Sequence, residues 1–175
     1  MGMIKLKNIL NEIGDASVAP YPFTRVNSDI GKNIKYNFDT PTEKYWVKFA
    51  PDTGTHKFLP HYAKNNPPWK YEVIFSTYEG MPNDTTDRGE MYAVMSTISD
   101  IVKDFVNRFT NARELVIIPT KDSAKKDWTK DRRRFKLYLA YIDKQLEKSL
   151  PGADINISKM YVDDVITISI PRLGD

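Results

Sequence analysis

The sequence predicts an α/β (α+β) domain built on a single mixed sheet of six to seven strands, antiparallel at both ends with a parallel βαβ unit at its centre, and about three helices. Three observations lead there. Trp69, Tyr71, Val73 and Phe75 alternate with Lys70, Glu72, Ile74 and Ser76, the period-two pattern of a strand with one strongly apolar face. Met91, Met95, Ile98, Val102, Phe105 and Phe109 then recur every three or four positions, which lines them along one side of a helix of about five turns. Leu115 to Ile118 is a short, wholly apolar run closed by Pro119, as expected of a strand buried on both faces. A strand, a crossover helix and a second strand form a right-handed unit whose two strands lie parallel in one sheet.

The other elements follow in chain order. Leu6, Ile9, Leu10 and Ile13 share one face of a short N-terminal helix that Gly14 is placed to end. Residues 21–26 form a short edge strand, because Pro20 and Pro22 restrict pairing to one side. Ile34, Tyr36 and Phe38, then Tyr45, Val47 and Phe49, alternate with polar neighbours around a Thr40–Pro41–Thr42–Glu43 turn, the pattern of a hairpin. Residues 51–68 make a long, proline-rich connection that holds both histidines. Asp87 can cap the central helix, with Glu90 reaching back in a capping box. Phe135, Tyr138, Leu139, Ile142 and Leu146 supply a second helical stripe, stopped by Pro151–Gly152. Ile155 and Ile157 lead a strand; Asp163–Asp164 turn the chain; Ile166, Ile168 and Ile170 return it. The organisation is thus one domain over 1–175: an N-terminal helix (1–14), antiparallel strands (21–77), helix–strand–helix (87–150) and a C-terminal hairpin (155–171).

At 175 residues with 41% hydrophobic and 28% charged residues, the chain has the size and composition of one folded domain rather than of a disordered segment. A net charge of +3 is too small to argue for a nucleic-acid partner by itself. The absence of cysteine excludes disulfides, thiolate nucleophiles and zinc–thiolate sites. No apolar run approaches the roughly 20 residues that cross a bilayer, so no membrane association is expected and a cytoplasmic setting is the default.

The order helix, antiparallel meander, strand, helix, strand, helix and final hairpin resembles the GNAT acetyltransferase superfamily, over roughly residues 33–170. In that family the strand before the central helix splays from its parallel neighbour, and acetyl-CoA lies in the gap with its pyrophosphate on the helix N–H groups. The physical basis is general: free N–H groups and the positive end of the helix dipole favour phosphate. The resemblance places the cofactor loop on Arg88–Gly89–Glu90–Met91–Tyr92–Ala93 and implies Arg88, Gly89 and Ala93 as cofactor-binding residues. Met91 stands where the family has a second glycine, and Glu90 sits where phosphate would lie. A Cβ at Met91 crowds the approach and Glu90 repels the pyrophosphate. The family's later tyrosine, a general acid toward the leaving thiolate, falls on Tyr138, a residue that the stripe with Phe135 and Ile142 equally assigns to the core. The chain is also similar to uncharacterised proteins of tailed, especially marine, bacteriophages in residues 4–10, 96–105 and 134–138.

Residues 121–136 hold eight basic side chains, among them Lys126, Arg132, Arg133 and Arg134, with Trp128 among them and three aspartates interleaved. A basic segment with an aromatic can track a phosphate backbone and stack a base, although the aspartates weaken its potential. His56, His61 and Asp52 lack a third spaced ligand, so no metal site is expected. No nucleophile elbow or phosphate loop is present. The functional expectation is a phage-type protein with a divergent GNAT-like core that acts through binding a protein partner or itself, with no cofactor and leaning away from catalysis. The alternatives are an acetyl-CoA-dependent N-acetyltransferase and single-stranded nucleic-acid binding through residues 121–136.

Overall fold

A computed structural model describes residues 18–26, 33–52, 69–77, 88–117, 141, 144–145, 150, 152–160 and 163–170. Its strands are β1 (Phe23–Arg25), β2 (Ile34–Asp39), β3 (Lys44–Pro51), β4 (Lys70–Thr77), β5 (Glu114–Ile117), β6 (Asp154–Met160) and β7 (Asp163–Ser169). One long helix, α1 (Arg88–Arg108), joins β4 to β5. The strands form one seven-stranded sheet in the order β1-β2-β3-β4-β5-β7-β6.

The expected mixed sheet is present. β1 to β4 form an antiparallel meander, β4 and β5 run parallel, and β7 pairs antiparallel with both β5 and β6. β1 is the short edge strand anticipated beside Pro20 and Pro22. The β2–β3 hairpin closes through Thr40, whose N–H donates to the Glu43 carbonyl at 2.8 Å, while its hydroxyl accepts from the Glu43 N–H at 2.9 Å.

Alternation decides which residues enter the core. Ile34, Tyr36 and Phe38 of β2, Val47 and Phe49 of β3, and Tyr71 and Val73 of β4 all point to one face and are buried. The α1 stripe of Met95, Ile98, Val102 and Phe105 covers them, joined by Val94, Ile101 and Val106. Phe105 is the centre of the contact, stacked on Phe49 with ring centroids 3.9 Å apart and edge-on to Tyr71 at 4.9 Å. In β5, Leu115, Val116 and Ile117 are all buried, as a strand apolar on both faces requires.

Two expectations are corrected. Trp69 does not join the apolar face of β4: the strand begins at Lys70, and Trp69 is 56% exposed. Its carbonyl accepts from the Arg113 and Glu114 N–H groups, so backbone pairing holds it at the sheet end. Asp163 and Asp164 do not turn the chain; the register Met160↔Asp163 and Lys159↔Asp164 places both inside β7. The composition misled because Asp is common in turns yet also tolerated at a strand end.

Gly152 has φ 86°, a left-handed conformation open to a residue without Cβ, and Ala153 N–H donates to the Leu150 carbonyl. Of the second predicted helix, Tyr141, Lys144 and Gln145 are described, and all three are helical. The N-terminal helix, Asp87 and the remainder of the second helix lie outside the described residues. Among the described residues no helix is long and apolar enough to cross a membrane.

Candidate functional site

The candidate site lies at the carboxyl ends of the parallel strands. Pairing between β4 and β5 covers Lys70↔Glu114 to Val73↔Ile117, whereas β4 continues to Thr77 against β3 alone. Among the described residues, positions 74–77 of β4 have no partner on the β5 side. In open α/β sheets the crevice beyond the carboxyl ends of parallel strands, where neighbouring connections diverge, is the usual ligand position. The chain leaving β4 enters α1 at this end, so the first turn of α1 borders the opening.

That first turn carries its own anion. Glu90 is held by the β2–β3 turn: the Thr42 hydroxyl donates a shared bond to its two carboxylate oxygens, at 2.7 and 2.8 Å. Burial opposes ionisation of Glu90, but hydrogen bonding from Thr40 and Thr42 outweighs it and holds the carboxyl below its usual range. A carboxylate in the first turn complements the positive end of the helix dipole.

Three tyrosines surround this end of α1. Tyr21 donates its backbone N–H to the Thr97 hydroxyl at 2.8 Å, and that hydroxyl donates to the Ala93 carbonyl at 2.7 Å. Burial, and then the negative charge of Glu90, pushes the Tyr21 phenol up, so it stays protonated. Tyr92 lies against Tyr141, with ring centroids 6.1 Å apart. Tyr141 is only 3% exposed, and its hydroxyl is buried without a hydrogen-bond partner. Buried polar groups are nearly always paired, so this hydroxyl is the unusual group of the site.

The sequence-predicted residues divide unequally. Arg88 and Gly89 open α1 by their backbone. Ala93 is 4% exposed and belongs to the packed side of the helix. Tyr138, Lys126, Arg132, Arg133, Arg134, His56 and His61 lie outside the described residues. Among the described residues no group of three His, Cys, Asp or Glu side chains is arranged to hold a metal ion.

Thr42, Tyr21 and Tyr141 were not singled out by sequence. Thr42 belongs to a turn 48 positions from Glu90, and no local pattern announces such a contact. Tyr141 had a signal, since it follows Tyr138 by three positions and falls one helical turn further along.

The site therefore offers the hydrogen-bonded carboxylate of Glu90, the protonated phenol of Tyr21 and the unpartnered buried hydroxyl of Tyr141. No protein-family model, curated protein or solved structure matches this chain.

Proposed function

We propose that this is a phage-type protein with a GNAT-like core whose cofactor position has been closed, and that it acts by binding or assembly rather than by acetyl transfer. The observation that carries the reading is the Thr42–Glu90 contact, which fills the start of α1 with the protein's own carboxylate. The GNAT-like part is supported by the antiparallel meander, the parallel β4–β5 pair bridged by a long helix, and the returning C-terminal hairpin. The partner is a protein surface or a second copy of the chain, as expected of a core that has lost its cofactor but kept its sheet.

One observation favours a second reading, an acetyl-CoA-dependent N-acetyltransferase. The buried, unpartnered hydroxyl of Tyr141 lies in the helix where the family resemblance expects a proton-donating tyrosine, one turn beyond Tyr138. Thiol release from acetyl-CoA with a panel of primary amines separates the two readings. The expected result is no release above the uncatalysed rate. Release that is lost in Tyr141→Phe, with KM unchanged, would establish the enzyme and overturn the binding reading.

A further inference from the structure

Each strand of the β1–β4 half sends alternate side chains under α1 and turns the others away from it. On β3 and β4 the outward set includes Trp46, Lys48, Ala50, Glu72 and Ile74, all half-buried, whereas their neighbours Val47, Phe49, Tyr71 and Val73 are buried. The outward face therefore keeps contact with solvent. An antiparallel sheet with one solvated face alternates apolar-in with polar-out, and Trp46, Ala50 and Ile74 break that alternation.

The register arranges four of these residues as a quadrilateral with two unlike diagonals. Lys48 lies directly across from Ile74, and Ala50 directly across from Glu72. One diagonal is thus charged, Lys48 to Glu72, and the other apolar, Ile74 to Ala50. Among the described residues neither Lys48 nor Glu72 forms an ion pair. The Lys48 ammonium stands 5.9 Å from the centroid of the Trp46 ring, and Lys35, across from Lys48, is already engaged within its own chain.

We propose that the chain pairs with a second copy of itself through this face. Two sheets meeting face to face can be related by a twofold axis that lies between them along the apolar diagonal. That axis sets Ile74 on Ile74 and Ala50 on Ala50, and brings each Lys48 over the partner's Glu72, the isologous pattern in which residue i meets j and j meets i. The dimer has two opposite-charge contacts around an apolar centre, with the Trp46 ring beside it as the kind of aromatic surface that interface cores favour. Charge also selects the orientation: a twofold along the other diagonal would lay Lys48 on Lys48 and Glu72 on Glu72, and is repelled. A polyanion would gain nothing from Glu72 or from the apolar diagonal. This dimer rests on the binding reading of the core and names its partner. Acetyl-CoA turnover would remove that reading whatever the oligomeric state, whereas a monomeric chain would remove the dimer alone.

Sedimentation velocity of the full chain over a dilution series is the test. Wild-type protein is expected to pass from monomer to dimer as concentration rises, with an affinity that falls as salt screens the two contacts. Lys48→Glu and Glu72→Lys each set like charges against one another at both contacts, and each should raise the dimer dissociation constant at least about tenfold. Mixed in equal amounts, the two variants present opposite charges at both contacts, so the mixture should regain a dimer that neither forms alone. Misfolding of either variant cannot produce that recovery. A wild-type chain that is monomeric at every concentration would overturn the proposal. So would a dimer indifferent to both substitutions, or variants that are weakened singly and do not recover on mixing.

Discussion

Tyr36 shows what a single buried polar side chain does in this core. Its hydroxyl donates to Asp104 at 2.9 Å, and Asp104 also accepts from Arg108 Nε at 2.8 and 2.9 Å. Burial, reinforced by the bond to Asp104, pushes the Tyr36 phenol well above its ordinary value, and burial pushes Tyr71 up to about 12. Both groups keep their protons more tightly when folded than when unfolded. Their contribution to stability is therefore complete below about pH 10, the unfolded value, and is lost as pH rises through the folded one. Urea unfolding at about pH 9 and about pH 11.5 should show the fall, and Tyr71→Phe should reduce it by on the order of 2 kcal/mol. A pH slope unchanged in that variant would show that Tyr71 does not titrate differently on folding.

At this scale the sequence was only partly legible. Tyr36 and Tyr71 were visible as inward-facing members of alternating strands, since period two follows from local geometry. The Asp104 partner of Tyr36 lies 68 positions away, and no local pattern specifies it. Trp69 misled because it continues the alternation of Tyr71 and Val73, while its exposed place just before the strand is not written in that alternation.

Among the elements, α1 carries the largest share of the packing. Its apolar positions were readable because a 3.6-residue period survives any tertiary context that buries one face. Phe105, stacked on Phe49 and Phe109 and edge-on to Tyr71, is the residue whose loss should cost most. Phe105→Ala is expected to destabilise by about 3–5 kcal/mol in denaturant unfolding; a cost below about 1 kcal/mol would mean that the cavity collapses or that the ring is not central.

A second contact ties α1 to the segment before β1. The Thr97 hydroxyl accepts the Tyr21 N–H while donating to Ala93, so one small side chain anchors the edge of the sheet to the helix. Thr97→Val keeps the shape and removes the acceptor. It should cost about 1–3 kcal/mol and speed hydrogen exchange at the Tyr21 amide, and unchanged exchange there would contradict the contact. The role of Thr97 was not legible, because it interrupts a helical stripe as an ordinary polar residue would. The antiparallel ends were legible from alternation alone, but the register that puts Asp163 and Asp164 inside β7 depends on pairing across the turn.

For the whole molecule, one arrangement matters most. A short apolar strand lies parallel to β4, α1 bridges the two, and the first turn of α1 carries Glu90 bound to Thr42. The strand–helix–strand order was readable because a crossover helix between two strands leaves few alternatives. The contact at the start of α1 was half-readable. Glu90 was visible as a misplaced carboxylate, whereas the Thr42 hydroxyl that fixes it comes from a turn that folding alone brings near. The consequence at this scale is a mixed α/β core in which a turn between two strands is tied by Thr42 to a carboxylate in the first turn of the long helix.

Titration calorimetry and thermal unfolding of the full chain with acetyl-CoA test that claim most directly. A ligand present at 100 times its dissociation constant adds about 2.7 kcal/mol of stability and visibly raises the unfolding midpoint. Closure of the helix start by Glu90 and Thr42 predicts no binding heat and no shift in the midpoint; a micromolar dissociation constant accompanied by a raised midpoint would contradict it.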